Sequence, residues 1–301
     1  MNDEIKPGDL NRRAFLKNLT GLSVGGSLLS ACAANQAASG AGSLLRAPLS
    51  QRIGVQLYSV RDQMEKDFEG TIARVAQIGY NDVEFAGYFD HTPQQVRDIL
   101  DKYNLKAPSS HLGLDLFRTK LDETLAASKT IGIEYVTVPS GARGADVAAW
   151  RAVAAEFNRF GAAAKQAGLK FAYHNHNFEF QAIPGGQTGY DILLQETDPE
   201  LVFFEQDLYW STYADRDPIA LFQRATHRFP MWHVKDLTTA SGQKAMAPVG
   251  KGSIDWKKLF ADADLAGLQY PFVEHDTAAQ YPGGSLASIQ ASYEYLKQLL
   301  S

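Results

Sequence analysis

From Arg52 to the C-terminus the chain alternates two hydrophobic patterns. Short runs rich in β-branched and aromatic residues begin near Ile53, Asp82, Lys106, Tyr135, Lys170, Val202, Met231 and Tyr270; these predict strands. Between them, residues 68–78, 92–103, 121–131, 147–167 and 285–300 carry apolar side chains at helical spacing. Pro93 after Thr92 marks a helix start, and Gly79, Gly132, Gly168 and Gly267 each stand between a helix and the next strand, as C-terminal caps do. Strand starts lie about 24 to 39 residues apart, the length of one βα unit with its loops. Eight such units in one block, residues 51–301, predict a single α/β domain, a (β/α)8 TIM barrel. An open doubly wound sheet is the alternative, but no Gly-x-Gly-x-x-Gly turn follows any strand.

The segment before the barrel reads as an address. Asn11-Arg12-Arg13-Ala14-Phe15-Leu16-Lys17 is a twin-arginine pattern, and the modestly apolar run at 19–31 is shorter than the ~20 residues a membrane-spanning helix needs. The run ends in Leu29-Ser30-Ala31-Cys32, which resembles a bacterial lipoprotein cleavage box, and Cys32 is the chain's one cysteine. The expectation is a twin-arginine lipoprotein signal peptide (1–31), lipidation at Cys32 and a flexible tether (32–50). The protein is then exported by the Tat pathway to the periplasm or cell envelope. A single cysteine leaves no internal disulfide to hold the fold.

Bulk properties add one exclusion. The chain is 45% hydrophobic with a formal net charge of −5 and no Lys/Arg stripe, which argues against a nucleic-acid backbone as partner. A small-molecule carbohydrate is the expected partner, and membrane contact is expected only through the lipid anchor. Nothing in the pattern assigns an oligomeric state.

In a TIM barrel the chemistry sits where strands run into the following loops. The predicted strand ends carry Glu84, His111, His174 with His176 and Glu179, Glu205 with Asp207, His233 with Lys235 and Asp236, and Glu274 with His275 and Asp276. Five of the seven histidines fall in these places, and such groups are costly to bury unpartnered. A His, Asp, His and Glu from four strands can bind one divalent metal ion, Mn²⁺, Zn²⁺, Co²⁺, Fe²⁺ or Mg²⁺.

With those residues in view, the chain resembles the xylose isomerase-like barrel superfamily, the sugar phosphate isomerase/epimerase group. The likeness covers residues 51–301. It rests on Gly54-Val55-Gln56-Leu57-Tyr58-Ser59-Val60-Arg61, His174-Asn175-His176, Asp207-Leu208-Tyr209-Trp210, His233-Val234-Lys235-Asp236, Gly250-Lys251-Gly252-Ser253-Ile254-Asp255-Trp256 and Val273-Glu274-His275-Asp276. The resemblance implies a metal held by Glu, Asp, His and Glu from strands five to eight. Asp207, His233 and Glu274 match the last three; His174 stands where the family has Glu. It also implies proton abstraction next to a carbonyl, with the metal stabilising enediolate-like charge. Glu274 is then the base, and His174 or a nearby group such as His176, Glu179 or Lys235 faces it. A symmetric two-carboxylate epimerisation loses one carboxylate, so one-base isomerisation or elimination fits as well.

Further expectations attach to single residues. Glu84 and His111 are expected to touch substrate hydroxyls, His176 to ligate the metal or support a ligand, and Tyr58 and Trp210 to stack on a sugar face. Glu205 reads as a buried network member. Lys235 is expected to steady developing negative charge and otherwise to pair with Asp236. His275 and Asp276 read as solvated, His91 and His227 as surface residues, and 250–256 as a turn entering a helix with Asp255 as cap. The leading function is a metal-dependent sugar isomerase/epimerase. The alternatives are a lyase or dehydratase acting on an oxidised sugar or 3-keto-glycoside, and a non-catalytic sugar-binding lipoprotein. An apurinic endonuclease-like member of the superfamily would need further His and carboxylate ligands, which the pattern does not supply.

Overall fold

The computed structural model describes residues 48–301. The expected signal peptide (1–31), Cys32 and most of the tether (32–50) therefore lie outside the described residues. The end of that tether is a correction: Leu49–Gln51 forms a 3-10 turn, and Leu49 packs on the core.

Eight parallel strands close into a barrel. They are β1 (Gly54–Gln56), β2 (Asp82–Phe85), β3 (Lys106–His111), β4 (Tyr135–Val138), β5 (Lys170–His174), β6 (Val202–Asp207) and β7 (Met231–Val234). After a hairpin of β8 (Asp236–Thr238) and β9 (Ala245–Ala247) comes β10 (Tyr270–Val273), which pairs with β7 on one side and β1 on the other. The chain is a (β/α)8 barrel as expected, and only β1 starts one residue later than its pattern suggests.

The helices follow local chemistry. Thr92 and Gln95 form a capping box ahead of Pro93–Lys102, with Pro93 in the first turn. Asp67 and Asp146 cap Phe68–Ile78 and Val147–Gln166. Phe68–Ile78 ends at Gly79 with φ of 115°, which a side chain would strain, and a Cβ there would meet the Tyr293 hydroxyl at 2.5 Å. No helix among the described residues is long and apolar enough to cross a membrane.

Inside the barrel the filling changes character with height. Low down, Tyr135, Ala172, Met231 and Phe272 form a small buried apolar cluster. Further along the barrel axis the buried side chains are Gln56, Glu84, Ser109, Thr137, Glu205 and His233. The larger apolar core lies outside, between strands and helices, where Val83, Phe85, Phe171, Phe204 and Trp232 are fully buried. Strand alternation thus places the apolar residues outward and aims the polar ones at the axis.

The hairpin is not anticipated by the pattern, which runs strand seven through Asp236. The strand breaks at Lys235, and the Asp236 carboxylate turns aside. It accepts hydrogen bonds from the amides of Leu237, Gly250, Gly252 and Ile254 and from the Trp256 indole. This clamp holds the expected turn at 250–256 against the barrel. As read from the sequence, Asp255 caps the helix Trp256–Ala261.

Candidate metal centre and pocket

Four neighbouring strands bring His174, Asp207, His233 and Glu274 together, and their donor atoms all lie within 4.8 Å of one another. His174 Nε2 is 3.3 Å from Asp207 Oδ2, and His233 Nδ1 is 2.7 Å from Glu274 Oε2 and 3.8 Å from Asp207 Oδ2. His174 Nδ1 is 3.1 Å from the Pro139 carbonyl. A carbonyl only accepts, so Nδ1 carries the hydrogen and Nε2 presents its lone pair to the cluster. Two imidazole nitrogens and two carboxylate oxygens, one ring already oriented by a carbonyl, form a donor set that fits a divalent metal ion.

Lys235 sits on the same carboxylates. Its Nζ is 2.6 Å from Glu274 Oε2, 3.1 Å from Asp207 Oδ2 and 3.0 Å from Asp276 Oδ1. Burial opposes the lysine charge, but the three carboxylates outweigh it and hold its pKa well above the usual value. Burial would likewise raise Asp207 and Glu274; Lys235 and the histidines bring Asp207 to about 2 and Glu274 well below its ordinary range. Both carboxylates are therefore ionised at neutral pH.

Below this level His233 Nε2 is 2.7 Å from Glu84 Oε2, which also accepts from Gln56, while Glu84 Oε1 accepts from Ser109. Glu205 Oε2 is 2.6 Å from His111 Nε2. Burial and the Glu84 charge push the Glu205 pKa far up, so Glu205 holds the proton of this carboxyl pair.

A pocket of about 440 Å³ opens above, lined by Tyr58, Ala86, His111, Gly113, Pro139, Ser140, His174, His176, Lys235, Glu274 and Asp276. Of the expected substrate contacts, Tyr58 stands at its mouth, 42% exposed, with the Arg61 guanidinium 3.9 Å from its ring centroid. His111 and His176 line the pocket. The His176 amide donates to Glu179 Oε2, its ring lies between Phe178 and Trp210, and burial brings its pKa down to about 3.

Several expectations change. Glu84 is fully buried a layer too deep to meet a substrate and instead holds His233. Trp210 stands behind His176 rather than on the pocket wall. Lys235 pairs with Asp207, Glu274 and Asp276 and not with Asp236. His275 is buried, bonded to Ser288 and Thr277, and Asp276 lines the pocket, so neither is a solvated surface group. His91 is partly covered, stacked on Phe68. Further His and carboxylate side chains whose spacing could hold an ion are present after all, in Glu84, His111 and Glu205. Arg61, which fixes Tyr58 and the Asp276 carbonyl, and Pro139, which orients His174, are missed; only proximity to strand ends signals them.

Comparison with known proteins places these observations. The model of the xylose isomerase-like TIM barrel family matches residues 72–299. Inosose dehydratase from Geobacillus kaustophilus is 24% identical over 254 residues, 70% of this chain and 81% of that protein. The Clostridium botulinum inosose dehydratase is 23% identical, covering 65% and 77%. A solved sugar phosphate isomerase/epimerase from Parabacteroides distasonis superposes with a TM-score of 0.72 at 24% identity, over 88% of this chain and 99% of that one. L-ribulose 3-epimerase gives a TM-score of 0.62 at 15% identity, over 83% and 94%. At these identities the two structures speak to fold alone.

Proposed function

The chain belongs to the xylose isomerase-like TIM barrel family, and on that premise we propose that it is a metal-dependent lyase removing water from a small polyhydroxylated ketone, an oxidised sugar or cyclitol. The observation that carries this reading is the asymmetry of the pocket. Its carboxylates, Glu274 and Asp276, stand with Lys235 on the β7–β10 side, and the β3–β5 side presents only the imidazoles of His111, His174 and His176 as ionisable groups. Two-base epimerisation asks for a carboxylate on each face of the substrate; elimination needs one.

Glu274 takes the proton from the carbon next to the substrate carbonyl. Its contacts with His233 and Lys235 both fall on Oε2, which leaves Oε1 to receive that proton. The Lys235 ammonium faces the enolate charge that develops. The carbon–oxygen bond at the next carbon then breaks, a carbon–carbon double bond forms, and the hydroxyl departs as water with the proton Glu274 had taken. A divalent cation held by His174, Asp207, His233 and Glu274 would polarise the substrate carbonyl. Tyr58, braced by Arg61, offers a ring face at the mouth. Among the described residues Lys235 is the only Lys or Arg lining the pocket and is already matched by three carboxylates, which disfavours a phosphorylated substrate. That agrees with the exported location we propose from residues 11–17 and 29–32.

The relatives named inosose dehydratases support the same chemistry. The test is incubation of the metal-loaded protein with inosose and with 3-keto-glucosides, followed by ultraviolet absorbance and by NMR in D₂O. Elimination gives an unsaturated, absorbing product. Deuterium entering the substrate without that product means isomerisation or epimerisation instead, and neither change in any ketone tested leaves a sugar-binding protein. Glu274→Gln is expected to lower kcat by about 10²–10⁴-fold with the fold retained by circular dichroism.

A further inference from the structure

Beneath the outer site lies a second set of donors, of which the proposed metal-dependent reaction uses only His233. Glu84, His111, Glu205 and His233 each offer one donor atom, again all within 4.8 Å. Each nitrogen faces both carboxylates. His111 Nε2 is 2.6 Å from Glu205 Oε2 and 3.4 Å from Glu84 Oε2; His233 Nε2 is 2.7 Å from Glu84 Oε2 and 3.4 Å from Glu205 Oε2. A tetrahedral ion with bonds of about 2.0–2.1 Å sets its ligand atoms about 3.3–3.4 Å apart, so the short edges of this ring need open by less than about 1 Å.

A second observation points the same way. Glu205 is fully buried, and its Oε1 has no hydrogen-bond partner. An unsatisfied carboxyl oxygen in a dry interior is costly, and Glu84, beside it, is equally buried. A cation bound by both oxygens of Glu205 satisfies Oε1 together with the Oε2 that faces the histidines.

We propose that Glu84, His111, Glu205 and His233 Nε2 form a second divalent-cation site below the outer one, a closed arrangement of four protein ligands of the kind that holds zinc. His233 is shared. Its Nδ1 faces Glu274 and Asp207 while its Nε2 faces Glu84 and Glu205, so with both cations bound the ring has released its N–H protons to solvent and bridges them as an imidazolate. Glu84, Glu205 and His233 are fully buried and none lines the pocket, so the role of the site is to fix the floor on which the outer ligands stand.

The experiment is zinc titration of the full chain after stripping with chelator, read by equilibrium dialysis and elemental analysis, with Co²⁺ absorption as a second readout. Wild type is expected to bind two zinc ions and Glu205→Gln one, with unchanged circular dichroism. The Co²⁺ absorption of wild type should be the sum of two sites and fall to one in each variant, the outer site's band remaining in Glu205→Gln and the inner site's in Asp207→Asn, which removes an outer ligand only. Should Glu205→Gln fail to fold, His111→Gln is read in the same way. Wild type binding a single zinc that Glu205→Gln retains overturns the proposal, and protons alone then close the ring. Zinc binding that Asp207→Asn leaves untouched but Glu205→Gln reduces would instead sink the outer site and keep this one.

Discussion

Lys235→Met separates the two cations that compete for the pocket carboxylates. In the metal-free protein, Lys235 is the counter-charge for Asp207, Glu274 and Asp276, at 3.1, 2.6 and 3.0 Å. Removing one member of a buried ion pair typically costs about 3–5 kcal/mol, because the partner stays behind uncompensated. A domain of this size loses about 2–4 °C of Tm per kcal/mol, so the metal-free variant should melt roughly 6–20 °C below wild type. With a divalent ion bound to Asp207 and Glu274, the lost positive charge is replaced and the gap should shrink to a few degrees. Metal affinity should move the opposite way. A unit charge about 5 Å from a divalent ion repels it by about 7 kcal/mol at an effective dielectric constant of 20. Even a fifth of that, about 1.4 kcal/mol, is tenfold in Kd. The assay is differential scanning fluorimetry with EDTA and with saturating Mn²⁺, alongside competition for the metal by a chelating dye. A melting loss that is the same with and without metal, or an affinity that falls, would refute the reasoning that Lys235 and the metal serve the same carboxylates.

Other expectations are more local. Asp82 is buried near the lower end of the barrel, and burial raises its pKa to about 7 against the partial opposition of Lys106 and Arg52. A raised folded-state pKa means that its contribution to stability is fully present below about 3.8 and lost as pH climbs through about 7. Asp82→Asn should therefore gain on wild type between pH 4 and 8, by at most about 4 kcal/mol; parallel urea-denaturation profiles across that range would contradict this. Gly252→Ala places a Cβ 2.2 Å from Asp236 Oδ1 and 2.4 Å from the Leu237 carbonyl, so it should cost about 1–3 kcal/mol in urea denaturation and loosen the turn at 250–256; a wild-type midpoint would show that the clamp yields freely. Cys32→Ala should release the protein from membranes and abolish metabolic labelling with palmitate in its bacterial host, and unaltered fractionation would remove the lipid anchor from the proposal.

The strands were legible because their residues obey two constraints at once: apolar side chains every second position toward the helices, and, above the apolar layer of Tyr135, Ala172, Met231 and Phe272, polar ones toward the axis. The same alternation identifies Glu84, Glu205, Asp207, His233 and Glu274 as inward-facing. It gives direction but not height, and height separates a ligand from a floor. Glu84 pairs in register with Gln56 and Ser109, one layer beneath Tyr58, Ala86 and His111, which line the pocket. That level follows from the stagger of neighbouring strands, a property of the closed barrel that no single strand encodes. Past the strand ends alternation stops altogether. Three residues, Asp236–Thr238, are too few to announce a hairpin. The five donors on Asp236 come from its own neighbour and from residues 14 to 20 positions downstream. His275 follows an inward residue and so turns toward Ser288 in the closing helix, burying a side chain that its sequence neighbours make look solvated. Residue types and inward direction are therefore encoded strand by strand, whereas whether a carboxylate meets substrate, metal or another side chain is decided by how far each strand has slid along the next.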